Sequence, residues 1–198
     1  LALELNKIFL EVIIGNDFDK DAIKILSSKK NLRLIDASNF LNNELLRFNS
    51  NNNSFLVQTE DNKKFSKKNF RIVSKKKPSK FQFDNLIFAF NVCRYVKSNA
   101  IVLAHNFSTV GIGSGQPSRL DSCKIAVDKM KKFQNLHSNT VAASDAFFPF
   151  TDGIQKLIQS GVTAIIQPSG SIRDKEIIKF ANETESILVF SNTRHFRH

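Results

Sequence analysis

The sequence has only two cysteines, Cys93 and Cys123, and they make neither a disulfide framework nor a zinc signature. That scarcity suits a reducing, cytoplasmic compartment. There is no His-x-Glu and no Pro-Cys-x-x-Cys, so the ligands and proton relay of a zinc deaminase are missing. No apolar run reaches the roughly 18–20 residues of a membrane span, and no basic-then-apolar leader opens the chain. The first residue is Leu1 rather than Met, so an internal start, a piece of something longer, is expected. Acids are the scarce charge: 18 Asp and Glu against 29 Lys and Arg, a net charge of +11. Such a surplus invites nucleic acid as a partner, and a basic nucleic-acid-binding α/β module without enzymatic activity is the alternative reading. The lysines argue against it. They gather at Lys63, Lys64, Lys67 and Lys68 and again at Lys75–Lys77 and Lys80, in connections, and do not alternate with aromatics as a stacking platform requires. A solvated surface, part of it serving anionic small substrates, is the preferred reading.

What is present is an alternation of strand and helix signals. Ala2–Ile8 reads as the tail of a helix and Phe9–Ile14 as a strand. A helix capped by Asp17 or Asp19 follows, with Ala22, Ile23, Ile25 and Leu26 on one face, and then a second strand over Leu32–Ile35. That order predicts a parallel pair with a crossover. Asn42–Asn53 is polar and reads as a loop; Phe55–Gln58 and Phe70–Val73 are short strands. Lys75–Pro78, a charge run ending in proline, is the expected domain break, giving residues 1–78 and 79–198.

Beyond it, helices are predicted over Gln82–Lys97, Ser118–Leu136 and Asp174–Ala181, and strands over Ala100–Ala104, Val141–Ser144, Val162–Gln167 and Ile187–Phe190. Gly111, Gly113 and Gly115 alternate and lack the spacing of a dinucleotide loop; they suit a strand on which something packs tightly. The class is α/β, with helices on both faces of a central sheet, and ligands in such folds sit outside the carboxyl ends of strands. The Pro168–Ser171 turn opens a helix whose first N–H groups favour anions or carbonyl oxygens.

The stretch around which the chain is organised is Val141–Asp152, Val-Ala-Ala-Ser-Asp-Ala-Phe-Phe-Pro-Phe-Thr-Asp. Phe148 precedes proline and is pushed to extended geometry, so the stretch reads as strand, aromatic corner, helix. Two readings stay open from the residues: Phe147, Phe148 and Phe150 plug a core, or they wall a flat ligand whose edge Asp152 reads.

Five stretches in order, Val96–Val102, Val110–Arg119, Ser144–Phe150, Gln167–Asp174 and Arg194–His198, resemble the C-terminal part of the formyltransferase domain in the bifunctional purine biosynthesis family, which combines AICAR formyltransferase with IMP cyclohydrolase. Leu1–Lys77 resembles the family less sharply, through Phe9–Ile14, Asn31–Leu34 and Phe55–Gln58. The resemblance implies cytidine deaminase-like three-layer α/β/α units with a central mixed sheet: the truncated end of one unit and the whole of a second. It also implies a homodimer with its site at the subunit interface, and formyl transfer from 10-formyltetrahydrofolate to the 5-amino group of AICAR, with no nucleic-acid or membrane partner.

Residue by residue, Asn99 matches an asparagine beside the reacting groups, and Arg119, Phe147, Arg194 and His198 match AICAR-binding positions. Pro149, Phe150, Asp152 and Ser171 match folate contacts, and Asp145 an acid near a potassium ion. By this resemblance the aromatic corner is a binding wall. The family's catalytic Lys-His pair has no counterpart in the sequence, and neither has the cyclohydrolase domain. The expectation is a formyltransferase piece that binds substrates and is catalytically incomplete.

Overall fold

The computed structural model describes residues 1–39, 46–63, 65–132, 139–195 and 197. The chain divides into two compact units, Leu1–Glu60 and Asp61–His198.

The first unit opens with α1 (Ala2–Leu5), β1 (Val12–Gly15), α2 (Lys20–Leu26) and β2 (Arg33–Asp36). β1 and β2 are parallel, with Val12 beside Arg33 and Gly15 beside Asp36, as the strand–helix–strand order predicted. Asp19 is the cap of α2, its carboxylate accepting from the Ala22 N–H at 2.6 Å. β3 (Leu46–Asn51) and β4 (Ser54–Thr59) form an antiparallel hairpin. The loop expected over Asn42–Asn53 is therefore corrected in its second half, its first residues lying outside the described ones. Leu46 and Phe48 carry the strand, and Asn52, at φ 49°, supplies the turn, a conformation asparagine tolerates. Among the described residues of this unit only Leu26 is buried.

The second unit is built on a six-stranded mixed sheet in the order β5-β10-β9-β8-β6-β7. Its elements are β5 (Phe70–Ile72), α3 (Lys80–Cys93), β6 (Ile101–His105), β7 (Ser108–Gly113), α4 (Arg119–Lys132), β8 (Val141–Ser144), α5 (Asp152–Gln159), β9 (Ala164–Pro168), α6 (Asp174–Glu183) and β10 (Ile187–Ser191). β8, β9 and β10 are parallel; β6 runs antiparallel to β8, and β5 to β10. Because β5 precedes Lys75–Pro78 and pairs with β10, the contact boundary falls between Glu60 and Asp61, and the lysine run lies inside the second unit.

The sheet is covered on both faces. Ile101, Leu103, Ala142, Ile165, Leu188 and Phe190 meet α4, α5 and α6 through Cys123, Val127, Leu157 and Ile177. Val102, Ala104, Ala143, Ile166 and Val189 meet α3 through Leu86, Phe90 and Cys93. This is why the strands read as unbroken apolar runs. α3 begins at a capping box, Ser79 and Gln82 each bonding the other's backbone N–H.

Gly111 and Gly113 let α4 lie directly on β7. A Cβ would stand 2.1 Å from the Ala126 carbonyl oxygen at the first and 1.9 Å from that of Ser122 at the second. The expectation of a tightly packed strand holds. Among the described residues no helix is long and apolar enough to cross a membrane.

Candidate functional site

The carboxyl ends of β8, β9 and β10 lie side by side. Ser191 of β10 is beside Pro168 of β9, and Ser144 of β8 is beside Ile101, the first residue of the antiparallel β6. Topology alone therefore gathers the segments around residues 98, 145, 169 and 192 at one end of the sheet.

Asp145 is the centre of the gathering. It is buried, and its Oδ1 accepts from Arg119 Nη2 at 2.7 Å while its Oδ2 accepts from the Ser98 hydroxyl. Arg119 Nε donates to Ser144 Oγ at 2.9 Å, and the Arg119 side chain retains only 11% of its exposure. An isolated buried carboxylate is strongly disfavoured, and Arg119 is the opposite charge that lies against Asp145. The tail closes over the pair: the His195 N–H donates to the Asp145 carbonyl at 3.0 Å and the Ser98 N–H to the Arg197 carbonyl at 3.1 Å. Among the described residues no group of three His, Cys, Asp or Glu side chains could hold a metal ion. The donors near Asp145 are hard oxygens, Ser98 Oγ and the Asp145 carboxylate, a set that fits potassium rather than a softer metal. With Arg119 already balancing Asp145, a monovalent charge suits the place better than a divalent one.

Asn99 lies half-buried beside this cluster. Its amide nitrogen donates to the Gln116 carbonyl at 2.8 Å and to that of Pro117 at 3.1 Å. Both amide hydrogens are thus engaged, and what Asn99 can offer a ligand is Oδ1, an acceptor. Ser122 Oγ fixes the Asn99 carbonyl at 2.8 Å.

The aromatic corner divides. Phe148 is buried in the core against Gly153, where a Cβ would meet its ring at 2.7 Å, and its N–H donates to Gln167 Oε1 at 3.3 Å. The plug reading holds for this residue. Phe147 is half-buried, and Pro149 and Phe150 are exposed. Each of the two open rings carries a cation: the Arg194 guanidinium is 5.5 Å from the Phe147 centroid, and that of Arg173 is 4.5 Å from Phe150. Such pairs contribute about 0.5–1 kcal/mol where exposed. Arg173 carried no signal of its own in the sequence.

Asp152 is exposed at the start of α5, one oxygen accepting from the Gly153 N–H at 2.7 Å. Ser171 lies in the turn before α6. Its hydroxyl accepts from the Arg173 N–H at 3.1 Å. In that turn the Asp174 carboxylate accepts from the Gly170 N–H at 2.8 Å and the Ser171 N–H at 3.2 Å. The expected site residue His198 lies outside the described residues.

No pattern in the sequence marks the pair between Asp61 and His195, 134 positions apart. His195 is buried, 4.3 Å centroid to centroid from Phe90 and 5.5 Å from Phe65, and its Nδ1 bonds Asp61 Oδ2. Burial pushes this imidazole below its ordinary value, against the pull of Asp61. A carboxylate only accepts, so the ring's Nδ1–H is the donor of the bond to Asp61. Both cysteines are buried thiols: Cys93 is pushed up by burial and Cys123 up to about 12 by the same cause.

Residues 1–129 match the family described as AICARFT/IMPCHase bienzyme. The chain is 43% identical over 197 residues to the bifunctional purine biosynthesis protein PurH of Aquifex aeolicus, covering 100% of this chain and 38% of that protein. It is 44% identical over 198 residues to the protein of the same name from Buchnera aphidicola subsp. Schizaphis graminum, covering 98% and 37%. To that of Bartonella bacilliformis it is 45% identical over 206 residues, covering 100% and 38%. The chain spans well under half the length of these relatives.

Proposed function

Because the chain belongs to the AICARFT/IMPCHase bienzyme family of purine biosynthesis, we propose that it forms the substrate-binding surface of the family's AICAR formyltransferase activity rather than of its cyclohydrolase. The reaction is transfer of a formyl group from 10-formyltetrahydrofolate to the 5-amino group of AICAR. The observation that carries this reading is convergence. Arg119, Asp145, Phe147 and Arg194, taken from three separate stretches, meet at one end of the sheet: Arg119 bonds Asp145, Arg194 stands over Phe147, and His195 beside Arg194 bonds the Asp145 carbonyl, while Asn99 follows Ser98, itself bonded to Asp145.

In this reading Arg194 makes a forked, charge-assisted contact with the AICAR phosphate, and Phe147 lies along the carboxamide. Asn99 Oδ1 accepts a hydrogen from the amine and aims its lone pair at the formyl carbon. Pro149 and Phe150 wall the pterin, Asp152 accepts from its edge, and Ser171 adds a polar contact. Arg119 holds Asp145 and the tail in place. The AICAR amine is conjugated and weakly nucleophilic, so its attack needs a base to take the proton and a donor for the developing oxyanion. Asn99 is a neutral amide and His195 is buried on Asp61, so neither is that base. These residues bind and orient; proton removal falls to groups outside them. A potassium ion held by Ser98 Oγ and Asp145 would supply fixed positive charge beside the tail. The surface works as part of a homodimer, in the cytoplasm, where Cys93 and Cys123 stay reduced.

Calorimetric titration of a non-reactive folate analogue into the chain tests the proposal at its second substrate. Saturable binding that weakens about tenfold in Asp152→Asn, as expected for a hydrogen bond to a charged group, supports it. Absence of binding by a folded sample, with AICAR present or not, contradicts it.

A further inference from the structure

Arg194 follows β10 by three residues and belongs to no regular element, yet the guanidinium stands over Phe147. Its two neighbours in the chain are held from outside the sheet. The segment from Asp61 to Lys63 touches both residues that flank it: Lys63 Nζ donates to Thr193 Oγ1 at 2.7 Å, and His195 Nδ1 bonds Asp61 Oδ2. The segment is itself fixed to α3, since Arg94 donates to the Asp61 carbonyl at 3.1 Å and the Lys63 carbonyl at 2.7 Å. Arg94 is oriented by Asn91 Oδ1 at 2.6 Å and lies 5.1 Å from the centroid of Phe65. The His195 ring fills a slot against Phe65 and Phe90.

We infer that Asp61 and His195 form a clamp that positions the C-terminal tail, so that Asp61 governs ligand binding through Arg194 without touching the ligand. Asp61 is thus a positioning residue. Residues 61–63 are a strap across the tail, anchored to α3 at one side and bonded to Thr193 and His195 at the other. The bond needs an acceptor on residue 61 and a shaped, donating ring on residue 195. For its ligand the inference rests on the reading above.

Two measurements on Asp61→Ala and Asp61→Asn test it together: amide hydrogen exchange at His195 and calorimetric titration of AICAR. The His195 amide is tied to the Asp145 carbonyl, so it reports the tail with no ligand present, and the Val189 amide in β10 reports the sheet. Asp61→Ala is expected to speed His195 exchange and to weaken AICAR binding, each by about three- to tenfold, the worth of one such bond. Val189 should not change. Asp61→Asn keeps an acceptor without the charge and is expected to fall between wild type and the alanine variant in both.

Unchanged His195 exchange in Asp61→Ala overturns the clamp, and so does an asparagine variant as impaired as the alanine. Faster exchange with unaltered AICAR affinity overturns the link to the ligand. If Val189 exchange rises as well, Lys63→Ala, which releases only the bond to Thr193, decides by the same two readings. A wild type that binds no AICAR contradicts the proposed function and with it the link to the ligand, and the exchange arm alone then upholds or overturns the clamp.

Discussion

Arg119 and Asp145 are an ion pair largely shut off from water, the Asp145 side chain at 1% and that of Arg119 at 11% exposure. Removing one partner leaves the other uncompensated, which costs about 3–5 kcal/mol. Arg119→Ala is therefore expected to destabilise the second unit by about that amount, read from the midpoint of urea unfolding. A change under about 1 kcal/mol would contradict the pairing. Cys123 gives a pH signature. Its folded pKa, about 12, stands above the ordinary 9.0 of the free thiol, so the native state favours the protonated form. That contribution is fully present below pH 9 and is lost as pH rises from 9 towards 12. Alkylation of Cys123 in the native protein should accordingly not accelerate between pH 8 and 9.5, while the urea-unfolded chain labels faster as the thiolate forms. Native labelling that tracks the unfolded rate would show the thiol to be open.

At the scale of elements, the packing of α4 on β7 makes the sharpest demand. Gly113→Ala would set a methyl 1.9 Å from the Ser122 carbonyl, and backbone cannot yield as a side-chain end can. The helix must shift, at a cost of about 1–3 kcal/mol. Ser122 also holds the Asn99 carbonyl, so the same variant is expected to weaken ligand binding as well as lower the unfolding midpoint. A variant as stable as wild type would contradict the close approach.

The elements of the second unit were largely readable. Ile101–Ala104 and Ile187–Val189 are buried on both sides and therefore continuous in the sequence. Gly111 and Gly113 announced the contact they make, though not with which helix. β3 was hidden because asparagines surround its Leu46 and Phe48, and the signal of two apolar side chains is weak. The aromatic corner could not be apportioned from residue types, since which of three phenylalanines turns inward depends on Gly153 leaving room for Phe148. The tail was legible as basic and aromatic, but its fastening was not, because Asp61 lies far away in sequence and in a connection without pattern.

For the whole molecule the two units differ in how much they bury. The second has an apolar core on each face of its sheet. The first leaves Phe9, Phe48 and Phe55 at 87%, 65% and 71% exposure. Protection follows burial, so amides of β1, β2 and the β3–β4 hairpin are expected to exchange far faster than those of β8–β10 in this chain. Equal protection would contradict the difference in packing.

On the proposed function, the tail arginine and the aromatic corner of the second unit together receive AICAR. The measurement that meets this most directly is calorimetric titration of AICAR and of its dephosphorylated riboside into wild type and Arg194→Ala. A charge-assisted contact is worth about 1.5–3 kcal/mol. The substitution should thus weaken AICAR roughly tenfold to a hundredfold and leave the riboside nearly unchanged. Equal loss for both ligands, or no loss for either, would mean that Arg194 does not read a phosphate and that the site has been assigned wrongly.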